Sequence, residues 1–155
     1  MEFQYNDGGR AEAGYKGHTG DCVCRAISIA TGKPYKEVYD DLNKLSARLC
    51  SGYRLVKTAY GSRYEKKSAA RTGVNKEVYQ KYLEDLGWKW VPTMFIGKGC
   101  KVHLDEKELP KGTIIARLSR HLATVIDGVL NDTYDCSRDD TRCVYGYFIK
   151  KEAVQ

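Results

Sequence analysis

The chain has 155 residues, with 26 Lys and Arg against 20 Asp and Glu and a formal charge of +6. That length suits one domain with a core of its own, and 42% hydrophobic with 30% charged residues is a globular balance that excludes a disordered chain. Apolar runs of only a few residues exclude a bilayer span, and the start MEFQYNDGGR lacks the basic lead and apolar block of a secretory signal.

Residues 1–20 are rich in Gly and polar groups and predict an irregular lead-in. A helix is expected over 21–31, where Val23, Ala26, Ile27 and Ala30 recur on one face and Gly32 is a natural stop. Pro34 opens a second helix, with Tyr35, Val38, Tyr39, Leu42 and Leu45 as its apolar stripe. The stretch 48–72 has poor periodicity and reads as a long exposed connection. It also holds the charge. Between Arg48 and Lys76 eight basic residues oppose Glu65 alone, a local +7 that leaves the rest of the chain at −1.

A third helix is predicted from Asn75 as N-cap to a stop at Gly87, burying Val78, Tyr79, Tyr82, Leu83 and Leu86. Short strands follow at 88–91, 101–104 and 113–118. Two more, at 121–126 and 129–134, flank Asp127-Gly128, a two-residue hairpin signal. A polar loop at 137–142 precedes a last strand at 143–149. Helices first and an antiparallel sheet second predict a single α+β domain over 1–155.

The six cysteines allow three bridges, but without an export signal a reduced, cytoplasmic setting is expected. Reduced cysteines divide into packing fillers, metal ligands and reactive thiols. Cys22 stands in the first turn of the first predicted helix, where the positive end of the dipole and free backbone N–H groups favour thiolate. Cys24 lies about 200° further round the helix and cannot share its face. Cys50, Cys100, Cys136 and Cys143 are assigned to packing. The zinc alternatives, Cys22-x-Cys24 with Cys136-(six)-Cys143 or Cys100-x-x-His103, lack the paired C-x-x-C spacing of structural zinc sites.

With a two-residue turn, Ile126 pairs with Val129 and Ala123 faces Asp132. Strand alternation then puts His121 on the face of Ala123 and so of Asp132, within diagonal reach, while Asn131 points to the other face. His103, beside Asp105-Glu106, is expected to be structural or exposed. His18, close to Cys22 in sequence, is a further candidate. Cys22, His121 and Asp132 together supply what acyl transfer needs: a thiolate, a base that takes and returns a proton, and an orienting carboxylate. The Cys22 backbone N–H would form half of an oxyanion hole.

Gly20-Asp21-Cys22 opening a helix, followed by His121 and Asp132 on late strands, resembles the papain-like cysteine peptidases. The compact bacterial and phage members, related to peptidases that process bacteriocin leaders, are the most similar, and KGTIIARLSRHLATVIDGVLNDTYD looks like their central hairpins. The resemblance covers residues 15–150 and implies a papain-like domain with N-terminal helices packed on a C-terminal antiparallel sheet. It implies hydrolysis of an amide or isopeptide bond in a protein or peptide through a thioester, in the cytoplasm of a bacterial or phage-infected cell. Such peptidases carry a Gln before the Cys that completes the oxyanion hole. Here residues 14–21 contain none, which leaves Gln4 or Asn6 folding back, or Thr19 or His18, as substitutes.

The basic segment interleaves Tyr53, Tyr60 and Tyr64 with Arg54, Lys57, Arg63, Lys66, Lys67 and Arg71. It reads as a solvated surface loop, or as a surface for single-stranded nucleic acid or an acidic protein. A papain-like scaffold that binds through this segment without catalysis is the alternative function. No Gly-rich phosphate loop occurs, so no cofactor and no resident metal are expected.

Overall fold

In the computed structural model, which describes residues 1–17 and 19–151, the first element is a short strand, β1 (Glu2–Tyr5). Helix α1 (Cys22–Thr31) buries Val23, Ala26 and Ile27, and α2 (Tyr35–Leu49) starts directly after Pro34 and buries Tyr35, Val38, Leu42 and Leu45. A hairpin of β2 (Tyr53–Thr58) and β3 (Gly61–Lys66) leads to α3 (Lys76–Asp85), with Asn75 as its N-cap. The remaining strands are β4 (Trp88–Pro92), β5 (Thr113–Leu118), β6 (His121–Ile126), β7 (Val129–Asp132) and β8 (Gly146–Lys150). All three helices lie close to the bounds that their apolar periodicity predicts. No helix among the described residues is long and apolar enough to cross a membrane.

The main sheet has six strands in the order β1-β7-β6-β5-β8-β4. Every neighbouring pair is antiparallel except β1 with β7, which is parallel, so the α+β class stands but the sheet is mixed, correcting the all-antiparallel expectation. The expected irregular lead-in begins with this strand. Its four side chains are exposed and carry no burial pattern, and its place is set by the backbone groups that β7 would otherwise leave unpaired. Between β6 and β7, Asp127 and Gly128 both have positive φ (48° and 80°), the backbone of a type I′ turn. A Cβ at Gly128 would approach Glu106 to 2.9 Å. The turn fixes the register at Ile126↔Val129 and Thr124↔Asn131, as expected.

Both faces of the sheet are covered. On one, Val23, Ile27, Val38, Leu42, Val78 and Leu83 of the helices pack against Ile115, Leu122 and Phe148. On the other, Leu104, Leu109, Cys136 and Val144 from two long loops pack against Ile114, Ala116, Leu118, Val125 and Leu130. Two-sided covering explains why β6 is buried almost throughout and does not alternate. Thr124 ties the layers together, its hydroxyl donating to the Ala26 carbonyl in α1 at 2.6 Å.

Three segments depart from expectation. The stretch 48–72 contains the β2–β3 hairpin, a separate two-stranded sheet, where an irregular connection was expected. No strand forms over 101–104; a single bridge joins His103 to Cys143, with the Val144 N–H donating to Val102 and the Leu104 N–H to Arg142, each at 2.8 Å. Cys100 and Cys143 form a disulfide across 43 residues, their Cα atoms 5.9 Å apart, which corrects their assignment as reduced packing residues. With Cys143 tied there, the last strand starts only at Gly146, and β7 ends at Asp132 short of the expected Tyr134.

Candidate active site

Cys22 is the first residue of α1. The N-cap Asp21 does not cap with its side chain. Its buried carboxylate pairs with Arg25 one turn along and with Arg10 Nε at 3.1 Å, and accepts the Tyr35 hydroxyl at 2.6 Å. The lead-in and α2 thereby clamp the end of the helix that presents the thiol. Gly20 also runs close to the 72–73 loop, where a Cβ would lie 3.0 Å from the Thr72 carbonyl.

His121 opens β6 and Asp132 closes β7, and the hairpin register brings them together diagonally as expected. Nε2 of His121 lies 2.6 Å from Oδ2 of Asp132, both residues being buried (8% and 3% exposed). The same carboxylate accepts the Thr133 N–H at 2.7 Å and the Cys136 thiol at 3.5 Å, and faces Arg25 Nη2 at 3.6 Å. Pairing with β1 anchors its backbone, the Asn6 N–H donating to the Asp132 carbonyl at 2.9 Å. Cys22 completes the set: it lines the same cleft as His121, and the His121 ring and the Leu122 backbone N–H both act on its thiol. With Nε2 engaged by Asp132, Nδ1 is the nitrogen left for sulfur.

Burial alone would raise the Cys22 pKa. The hydrogen bond and charge of His121, the Leu122 N–H and the Arg25 charge outweigh it, and the thiol ends below its ordinary value. Burial would likewise lower His121, yet its hydrogen bond to Asp132 and the influence of the neighbouring Cys136 and Cys22 thiols push it up to about 12. Asp132 is held below the usual carboxylate range, its desolvation overcome by His121, the Thr133 N–H and Arg25. The favoured state is therefore thiolate, imidazolium and carboxylate in a row. The other thiols contrast with it: burial pushes Cys24 up to about 12, and the Glu77 hydrogen bond raises Cys50.

The site forms one wall of an open cleft of about 450 Å³, whose lining includes Cys22, Val23, Tyr79, His121, Leu122 and Tyr145. No known protein family, curated protein or solved structure gives a significant match to this chain. What the site can do is decided by its own atoms.

Cys24, the rival thiol on the same helix, is fully buried against α2 with its sulfur 3.6 Å from the Tyr35 carbonyl. His103 is partly exposed, 3.2 Å from Glu108. Gln4 bonds the neighbouring Tyr5 carbonyl and Asn6 bonds Asn131, so neither enters the cleft, and Thr19 lines a different surface hollow. His18 lies outside the described residues. Neither of the alternative zinc groupings comes together among the described residues. His121, Asp132 and Cys136 do cluster, but the 2.6 Å between Nε2 and Oδ2 is a hydrogen-bond spacing; two ligands of one tetrahedral zinc stand about 3.3 Å apart. Arg25 and Cys136 are site residues that sequence reasoning missed. The first had a legible signal, since Asp21 and Arg25 stand at the i, i+4 spacing of a helical ion pair.

Proposed function

We propose that the protein is a cysteine-dependent hydrolase of amide or isopeptide bonds, built on a papain-like arrangement. The observation that carries this reading is that Cys22, at a helix N-terminus, and His121 line one open cleft, with Asp132 hydrogen-bonded to the His121 ring. The helical half before the sheet half, with Cys, His and Asp in that order, supports the papain-like arrangement.

In this scheme the Cys22 thiolate attacks the substrate carbonyl carbon. Negative charge gathers on the carbonyl oxygen, which the Cys22 N–H and the dipole of α1 are placed to stabilise. Imidazolium His121 gives its proton to the departing amine as the C–N bond breaks, leaving a thioester on Cys22. Neutral His121 then takes a proton from water as the hydroxide oxygen adds to the thioester, and keeps it as the C–S bond breaks, so that the carboxylic acid leaves and the thiolate–imidazolium pair is restored. Asp132 keeps the ring oriented and its charged form favoured throughout.

The test is cleavage of a proteome-derived peptide library, read as new termini by mass spectrometry. The wild-type protein is expected to generate termini that Cys22→Ala does not. Equal cleavage by a folded Cys22→Ala protein would exclude the hydrolase.

One observation favours a second reading. The β2–β3 hairpin pairs Tyr53 with Lys66, Leu55 with Tyr64 and Lys57 with Ser62, so one exposed face carries two aromatic rings and two cations without an acid. A non-catalytic module would use that face to hold single-stranded nucleic acid or an acidic protein. Under that reading, retention on heparin falls steeply with salt and in Lys57→Gln/Lys66→Gln, and Cys22→Ala leaves the function intact.

A further inference from the structure

We infer that the substrate of this thiol site carries a carboxylate beside the bond that is attacked, and that Arg117, Arg120 and Lys76 bind it. The inference rests on the hydrolase reading above and names its substrate class. All three cations line the cleft that holds Cys22 and His121, and among its described lining residues there is no Asp or Glu. None of the three has an ion-pair partner among the described residues; Lys76 alone has a polar-type contact, its ammonium standing 5.5 Å from the centre of the Trp90 ring. The nearest acid in sequence, Glu77, is occupied by the Cys50 thiol at 2.6 Å.

Their placement ties them to the reacting atoms. Arg120 directly precedes His121. Arg117 pairs across the β5–β6 ladder with Leu122, which lines the cleft beside Cys22, and cross-strand partners share a face. Lys76 opens α3 on the opposite wall. Arg120 moreover occupies a left-handed backbone position (φ 56°), where Gly or Asn is the low-strain choice. Three cations without an acidic partner in one cleft repel one another, and a bound anion relieves that repulsion. A neutral or cationic group at the same place would not. The carboxylate can belong to an Asp or Glu side chain or to a peptide C-terminus, which share this chemistry.

Two alkylating reagents of nearly equal size read the bias directly. Iodoacetate is anionic and iodoacetamide is neutral, and their rates with Cys22, resolved by mass spectrometry, are each divided by the rate with a free cysteine thiol. At low salt the normalised ratio is expected to favour iodoacetate about tenfold, and to shrink toward unity in 1 M salt. Arg117→Gln, Arg120→Asn and Lys76→Gln should each lower it severalfold; the last two residues are exposed, and Asn suits the left-handed position, so folding is not at stake there. Protection of Cys22 by acetyl-aspartate amide against protection by acetyl-glycine with a free carboxylate separates side chain from C-terminus. A reactive thiol whose ratio is near unity, or is unmoved by all three variants, overturns the anionic substrate and leaves the hydrolase standing. A thiol inert to both reagents overturns the hydrolase and the substrate class together.

Discussion

Asp132 faces two cations at once, the His121 ring at 2.6 Å and Arg25 at 3.6 Å, inside a site that solvent barely reaches. Removing that buried carboxylate takes from the His121 ring its hydrogen-bonded counter-charge and leaves Arg25 with Asp21 alone, so Asp132→Ala should act on chemistry and on thiol reactivity together. Turnover is expected to fall on the order of 10²-fold, less than for Cys22→Ala, and the Cys22 pKa to rise because His121 holds its proton less firmly. Kinetics and pH-dependent thiol labelling of the folded variant check both. Arg25→Gln tests the link from the helix side. Asp21 and Asp132 would share the loss, and breaking such a buried pairing costs about 3–5 kcal/mol, measured as a drop in the urea midpoint at constant m.

At the scale of elements, the hairpin and the helix it faces should differ sharply in what they contribute. Tyr64 is 73% exposed on β3, so Tyr64→Ala should change stability by less than about 0.5 kcal/mol. Tyr79 is buried on α3 against Phe148, and Tyr79→Ala should cost about 3–5 kcal/mol, both read from denaturant melts. The same contrast explains what the residues revealed in advance. Elements that bury a periodic face, such as α1 through Val23 and Ile27, announce themselves, and Asp127-Gly128 set a register that brought His121 to Asp132. Elements held mainly by backbone pairing do not: β1 is exposed at all four positions, and β2 and β3 are exposed at most of theirs. The Cys100–Cys143 pairing depends on two loops meeting across the far face of the sheet, which no local spacing encodes. The cleft is similar, since Lys76 and Arg117 lie 41 positions apart in the sequence and become neighbours only through packing.

Over the whole molecule, the disulfide and the buried charges set how stability responds to conditions. The bridge closes a 43-residue separation, and Cys100→Ser should lower stability by about 2–4 kcal/mol under oxidising conditions while matching wild type in reductant. His121 binds its proton more tightly folded than unfolded, so that contribution is complete below pH ~6.5 and declines as pH rises toward its raised folded value. Asp132 acts oppositely, contributing above its ordinary value of 3.8 and losing that contribution as pH falls through its depressed one. In a Cys22→Ala background, where the thiol's own opposing titration is absent, the stability lost on His121→Gln should be larger at pH 6 than at pH 9. Charge is likewise organised at this scale. The basic excess of 48–76 is spread over the end of α2, the exposed hairpin and the loop that follows it, with Lys76 in the cleft, where Arg117 and Arg120 join it from β5 and the turn after it. The central claim is that His121 makes Cys22 a thiolate, and the rate of Cys22 alkylation by iodoacetamide against pH measures it most directly. The midpoint of the rise in rate should lie below the ordinary thiol value of 9.0 and move up toward it in His121→Gln. A midpoint at the ordinary value in both proteins would contradict the account.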